Sequence, residues 1–363
     1  TDLFKFVPAA GGKAGVQIKT PAGGLVDGRV KIYNKNFVLI AENAAGIPGA
    51  TAAVDFNTTV TSSADIYYIL VEPVGTAQGS YTVEVTTQPL THYLYYPEGF
   101  AGATIDEFVP IVNTNDFAVS YQVFVRYETG AQNSSPIAVG TVNPKSRGGI
   151  TISNKNGSSL VDRGRAYALE IQSTGQLGAT LSHYDFNVSV GEAFTNRVST
   201  TWTFAQVNKD RTNYRDFLVF YNPTNTDATL NIQLIYDNGT VASFQQTVRS
   251  LRRGGINIDA DGRVAQSGRF GVRITSTVGI VAALSSYNLA NNGGDGLLGD
   301  ADGGTTAGVI PNISSGGGVN SSLSFLNTNS TPATITVTAS YARVDLPDLV
   351  RVITVQPNRQ FTI

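Results

Sequence analysis

One stretch of this sequence is written three times. The first copy runs Asn113-Thr-Asn-Asp-Phe-Ala-Val-Ser-Tyr-Gln-Val-Phe-Val-Arg-Tyr127, and the second runs Asn222-Pro-Thr-Asn-Thr-Asp-Ala-Thr-Leu-Asn-Ile-Gln-Leu-Ile-Tyr236. The third is Asn327-Thr-Asn-Ser-Thr-Pro-Ala-Thr-Ile-Thr-Val-Thr-Ala-Ser-Tyr341. In each copy the Tyr follows its Asn by 14 positions. Asn, Pro and Asp set a turn, because their side chains bond local backbone or fix φ. The β-branched and aromatic residues after them alternate with polar ones, which suits a strand with one face in a core. A repeated turn-and-strand is a structural unit, and the chain is organised around it.

The surrounding blocks repeat as well. Residues 92–192 carry Tyr95-Tyr-Pro-Glu-Gly-Phe100, Asp106-Glu-Phe-Val-Pro110, Val142-Asn-Pro-Lys-Ser-Arg-Gly-Gly-Ile150, Tyr167-Ala-Leu-Glu-Ile171 and Leu181-Ser-His-Tyr184. Residues 200–290 answer with Thr201-Trp-Thr-Phe204, Arg215-Asp-Phe-Leu218, Val248-Arg-Ser-Leu-Arg-Arg-Gly-Gly-Ile256, Phe270-Gly-Val-Arg-Ile274 and Leu284-Ser-Ser-Tyr287. The offset between matched positions drifts from 109 (Phe108 to Phe217) to 103 (Tyr184 to Tyr287), as small changes in loop length require. A third repeat spans 321–363, but its blocks stop at Val355-Gln-Pro-Asn-Arg-Gln-Phe-Thr-Ile363 and the closing strands are missing. Such a half sandwich has an uncovered inner face and an unpaired edge. Either the native chain continues, or a neighbouring molecule supplies the strands through the edge that holds Phe361 and Ile363. Residues 1–88 hold seven short strand signals separated by turn signals. Ten of the residues in 291–318 are Gly, so 291–320 reads as a linker or long loop. No stretch keeps a 3.6-residue apolar period. The expected fold is therefore all-β, with tandem antiparallel β-sandwich domains that are Ig-like or jelly-roll-like.

Two resemblances add to this reading. Asp2-Leu-Phe-Lys-Phe6, Val30-Lys-Ile-Tyr-Asn34 and Tyr67-Tyr-Ile-Leu-Val71 with Gly79-Ser-Tyr-Thr-Val83 resemble the bacterial pre-peptidase C-terminal domain over residues 1–88. That resemblance implies an exported protein and a non-catalytic accessory module. The later repeats resemble the β-sandwich repeats of bacterial cell-surface proteins, with their aromatic-Pro-Glu-Gly opening, Asn-Pro strand end and Val-x-Pro-x-Ser-Arg turn. The first copy has Asn113-Thr in place of Asn-Pro, and the second replaces the opening with Trp202-Thr-Phe. That family implies no catalytic residues.

Composition narrows the chemistry. The chain has 363 residues, 14% charged residues, a net charge of −2, and neither Cys nor Met. Without Cys there is no disulfide, thiol nucleophile or thiolate metal site. The near-neutral, unblocked charge favours neither nucleic acid nor a membrane surface, and no apolar run is long enough for a membrane-spanning helix. The absent Met suggests a processed or excised chain, and the Thr- and Asn-rich composition suggests an extracellular or cell-surface location.

Of the two histidines, His92 lies beside a tyrosine cluster. His183 has Ser286 at the matching place in the next repeat, so it reads as a tolerated surface residue. Neither has a Gly-x-Ser-x-Gly elbow, and catalytic residues are expected to be none. Asp300-Ala-Asp302, with Asp295 upstream, could offer oxygens to calcium, and Asp259-Ala-Asp261 less so, but neither has the distal Glu of a calcium loop and a polar Asp-Gly turn accounts for both with no metal. No other cofactor is indicated. The Arg-Gly-Gly segments at Arg147 and Arg252-Arg253 read as turns whose Arg packs on an aromatic ring or pairs with a carboxylate. Tyr95, Tyr96 and Trp202 are candidates for stacking on a carbohydrate or a partner. A seam between the first two domains explains the tyrosines as well.

These readings converge on a non-catalytic structural protein, a subunit of a surface layer, sheath or filament that forms a homo-oligomer or polymer. The alternatives are a carbohydrate-binding adhesin and the accessory region of a secreted hydrolase.

Overall fold

The computed structural model describes residues 1–363 apart from 9–11, 22–26, 48, 59–64, 77, 302, 306, 311–320 and 342–344. The fold is all-β: among the described residues strands account for 60% and helices for 0%. The N-terminal unit holds β1 (Asp2–Phe6), β2 (Gly12–Lys19), β3 (Gly28–Tyr33), β4 (Leu39–Ala44), β5 (Ala52–Thr58), β6 (Tyr67–Pro73) and β7 (Thr82–Pro89). They form two sheets, ordered β1-β6-β3-β4 and β5-β2-β7. The alternation of β2 and β3 turns Ala14, Val16, Ile18, Val30 and Ile32 into the space between them, where all five are buried.

Repeat 1 contains β8 (His92–Tyr96), β9 (Asp106–Asn113), β10 (Val119–Tyr127), β11 (Ala138–Val142), β12 (Ser146–Ser153), β13 (Tyr167–Ser173), β14 (Gly178–Ala179), β15 (Ser182–Asp185) and β16 (Val188–Val190). One sheet is ordered β11-β10-β13-β8 and the other β12-β9-β15-β16, with β14 also on β9.

Repeat 2 contains β17 (Ser199–Lys209), β18 (Tyr214–Asn222), β19 (Ala228–Tyr236), β20 (Val241–Val248), β21 (Arg252–Asn257), β22 (Gly268–Asn288), β23 (Gly293–Leu298) and β24 (Asp300–Ala301). Here one 21-residue strand, β22, does the work of β13 and β15 together. Its first half lies between β19 and β17, and its second half between β18 and β23. The partial repeat 3 contains β25 (Ser324–Asn327), β26 (Ala333–Ala339), β27 (Leu349–Val355) and β28 (Arg359–Thr362), paired among the described residues as β25-β28 and β26-β27.

The sequence reading needs one correction at residues 291–301. This Gly-rich stretch forms β23 against β22 and β24 against β17, and so belongs to the repeat 2 sandwich. The glycines serve close approach. A Cβ on Gly294 would stand 2.6 Å from Val188, and one on Gly299 would stand 2.7 Å from the Phe204 ring.

The threefold motif is one corner built three times. Asn113, Asn222 and Asn327 end β9, β18 and β25 and are buried. Nδ2 of Asn222 donates to Thr226 O (2.7 Å) and Val248 O (3.1 Å), while its Oδ1 accepts from Thr224 N (3.0 Å). Asn113 makes the same set with Phe117 O, Val142 O and Asn115 N, and Asn327 with Thr331 O, Val355 O and Asn329 N. Three residues after each Val, the chain turns through positive φ at Lys145, Leu251 and Asn358. The next strand then pairs back beside the Asn, as in Asn222↔Arg252 and Asn327↔Arg359. One amide thereby ties a strand of one sheet to the hairpin of the other.

The chain's single Trp, Trp202, is buried in the repeat 2 core, where its Nε1 donates to Ile280 O at 3.0 Å. Its fluorescence therefore reports on that unit. Asn222→Ala leaves buried carbonyls without donors. It should lower the urea stability read by Trp202 emission by roughly 2–4 kcal/mol, and an unchanged midpoint would refute the clamp.

Candidate functional site

Two regions stand out: the seam between repeats 1 and 2, and the uncovered face of repeat 3.

The seam is apolar at two places. Tyr221 and Val281 meet Ala168, Tyr95 and Leu298, while Tyr287 meets Val188 and Val190. Between them lie buried charges. Arg253 is 7% exposed, and its Nη2 donates to Glu98 at 3.0 Å, its Nη1 to Glu128, and its Nε to Pro97 O at 3.2 Å. Nearby, Glu170 accepts from Arg126 (2.9 Å) and from the Tyr221 hydroxyl (2.7 Å). Each carboxylate is thus matched to donors from the opposite repeat or its own sheet, as buried ions require.

A second buried carboxylate recurs in register. Glu107 on β9 pairs with His183 on β15, and Asp216 on β18 with Ser286 on β22. His183 Nδ1 lies 2.7 Å from Glu107, whose other oxygen accepts from the Tyr167 hydroxyl. Asp216 accepts from Ser286 Oγ (2.7 Å) and Asn208 N (2.7 Å). His183 is 2% exposed, so the expectation of a surface residue is corrected. It is not a free base either, because its ring is committed to Glu107 and stands edge-on to Tyr287.

The expected binding aromatics are mostly interior. Trp202 and Tyr96 are each 1% exposed, and Tyr96 packs on Phe194, so neither can present a face to a sugar. Tyr95 packs against Tyr221 with ring centroids 5.6 Å apart, in a seam between repeats 1 and 2 and not between the first two domains. Tyr93 is exposed beside it. Strand alternation carried this signal: Thr201-Trp-Thr-Phe204 sends Trp and Phe to one face and Thr to the other.

The acidic candidates separate. Asp295 lies on β23 opposite Ser286, Asp300 lies on β24 opposite Thr203, and Asp302 falls outside the described residues. Asp261 is held by Arg263, and Asp259 lies 3.6 Å from Arg215. Among the described residues no group of three His, Asp or Glu could hold a metal ion.

Repeat 3 carries the clearest departure from its sisters. Tyr127 and Tyr236 are 0% and 2% exposed and pack on Tyr167 (6.1 Å) and Phe270 (5.1 Å), but Tyr341 is 50% exposed. Phe361 lies on β28 and is 37% exposed. Ile363 exchanges two backbone hydrogen bonds with Leu323, so the strand edge of Phe361 and Ile363 on that side is occupied within the chain. Among the described residues the uncovered edge belongs to β26; β25 lies against repeat 2, where Ser324 Oγ donates to Gln206 Oε1 on β17 and Leu326 packs over Gly271 of β22.

No family model matches the sequence, and no curated protein does. Among solved structures, the crystal structure of Thermotoga maritima 1070 is similar over 31% of this chain and 100% of that one, with 15% identity and a TM-score of 0.26. A likeness that slight transfers nothing to this chain.

Two predictions follow from the buried charges. Arg253→Ala strands Glu98 in the seam and should destabilise the protein by about 3–5 kcal/mol; Arg253→Met should cost no less, since it also leaves the carboxylates unpaired. Burial pushes the Asp216 carboxyl up to about 6 against hydrogen bonds from Ser286 and Asn208 that pull it down. A carboxyl that holds its proton more tightly when folded favours folding as pH falls. Stability should therefore rise from about pH 6 down to the unfolded value of 3.8, and be lost as pH rises through 6. Burial alone lowers the His183 pKa, but its hydrogen bond to Glu107 and that carboxylate's charge outweigh burial and raise it above 6.5, which adds stability on the acid side in the same sense. Urea titrations read by Trp202 at several pH values should show a gain of about 2–3 kcal/mol on acidification, and Asp216→Asn should flatten most of it.

Proposed function

We propose that this chain is a non-catalytic extracellular structural protein, a subunit of a bacterial surface layer, sheath or filament. The observation that carries the reading is repeat 3. It has the corner, the paired strands and the inner apolar positions of its sisters, yet β26 keeps open, among the described residues, the edge that is paired in β10 and β19. An open, uncharged edge on a sheet is the usual template for joining chains. The seam between repeats 1 and 2 supports the same reading, because buried ion pairs and aromatic contacts couple two sandwiches into a stiff pair. The motifs shared with bacterial surface repeats and with pre-peptidase C-terminal modules point to export and to accessory work without catalysis.

The adhesin reading loses two of its three anchors with the burial of Trp202 and Tyr96. What it retains is Tyr95, half-buried against Tyr221, with the exposed Tyr93 stacked on it at 6.4 Å. Light scattering after gel filtration, with negative-stain microscopy of the same fractions, tests the structural reading. Regular filaments or sheets are expected; monomers at every concentration would overturn it.

A further inference from the structure

The three copies of the corner define what fits the open edge of repeat 3. In repeat 1 the free side of β10 is taken by β13, with Tyr167 opposite Tyr127, Leu169 opposite Val125 and Ile171 opposite Val123. In repeat 2 the free side of β19 is taken by β22, with Phe270 opposite Tyr236, Val272 opposite Leu234 and Ile274 opposite Ile232. Both closing strands run antiparallel, and both read aromatic-x-aliphatic-x-Ile. Counting from the corner Asn, the matching positions are Val337 and Ala339 on β26 and Tyr341, two residues beyond its end.

Three observations show that this slot is vacant among the described residues. β26 pairs only with β27, and β25 only with β28. Val337 is half-buried where Ile232 and Val123 are 0% exposed. Tyr341 is 50% exposed where both its counterparts meet an aromatic ring. The edge also lacks the usual protection. Ala333-Thr-Ile-Thr-Val-Thr-Ala339 has no charge, Pro or Gly, and its β-branched residues favour pairing.

We infer that repeat 3 accepts one extended strand from outside these 363 residues along β26, antiparallel to it, with an aromatic side chain facing Tyr341 and aliphatic ones two and four residues further on. The inference rests on the structural reading above and names the partner that reading needs. It also specifies side-chain size. Ala339 stands where the complete repeats have Val125 and Leu234, so the residue facing it must be larger than Val272 to fill the same space. The incoming strand is confined to β26, because β25 already lies against repeat 2 through Ser324–Gln206 and Leu326–Gly271.

The probe is a synthetic peptide of residues 268–288, added to the full chain. One peptide should bind per chain, and any assemblies should disperse as their joining edge is blocked. The same peptide with Val272→Phe should bind severalfold more tightly, and one with Phe270, Val272 and Ile274 all changed to Thr should not bind. Trp202 emission should stay constant, because the peptide enters repeat 3 and does not displace β22 in repeat 2. Thr336→Pro, on the outward face of β26, removes one backbone donor and should weaken binding at least tenfold; its Trp202 urea midpoint shows whether the neighbouring unit is intact. Assemblies that form and ignore the peptide would overturn the strand inference and leave the structural reading standing. Peptide binding by a chain that never assembles would uphold the inference and remove the layer or filament. Monomers that do not bind the peptide would overturn both.

Discussion

A single buried amide governs each of the three repeats. Asn113, Asn222 and Asn327 sit where a strand leaves one sheet for the other, at a point where backbone carbonyls from two further segments converge and water is excluded. Carbonyls in that position must be given donors or the corner cannot be buried. One NH2 group reaches them, and its own oxygen fixes the turn two residues ahead. The strands on either side then have no choice of register. The left-handed residue before β12, β21 and β28 completes the corner, and it is Lys145, Leu251 or Asn358 without any need for Gly.

Much of this was legible because the chain carries its own comparison. The Asn–Tyr spacing, the seven strands of the first unit and the pairing of an Arg-Gly-Gly arginine with carboxylates all lie in sequence pattern, and the structure has Arg253 between Glu98 and Glu128. What failed to show was which face a residue takes when composition is read without register. Gly293–Leu298 reads as a linker by its glycines, yet Gly294 leaves room for Val188 and Val190, and Gly296 for Gly191 and the Tyr96 hydroxyl. Tyr96 and Trp202 read as binding aromatics, although each alternates in step with core residues. His183 looks dispensable beside Ser286 until the facing residues are read too. The acid opposite changes with it, Glu107 for His183 and Asp216 for Ser286, so the two positions form one buried pair with two solutions.

The buried charges at the seam have a structural meaning of their own. An apolar seam would hold two sandwiches together in many orientations at similar cost. Arg253 accepts one, since moving it away from Glu98, Glu128 and the Pro97 carbonyl strands an ion in a region closed to water. Stability there is secondary to geometry. A stiff, fixed angle between adjacent domains is what a repeating lattice or fibre requires of its subunit.

The continuous strand β22 has a consequence for mechanical load. Repeat 1 divides the same path among β13, which is flanked by β10 and β8, and the much shorter β14 and β15. In repeat 2 the path is unbroken for 21 residues, roughly 70 Å at the usual strand rise, and is flanked on both sides along most of its length. A tug along this strand shears four ladders at once, whereas a tug across a short hairpin peels bonds singly. Under tension, repeat 1 should therefore yield first and repeat 2 should act as the inextensible segment.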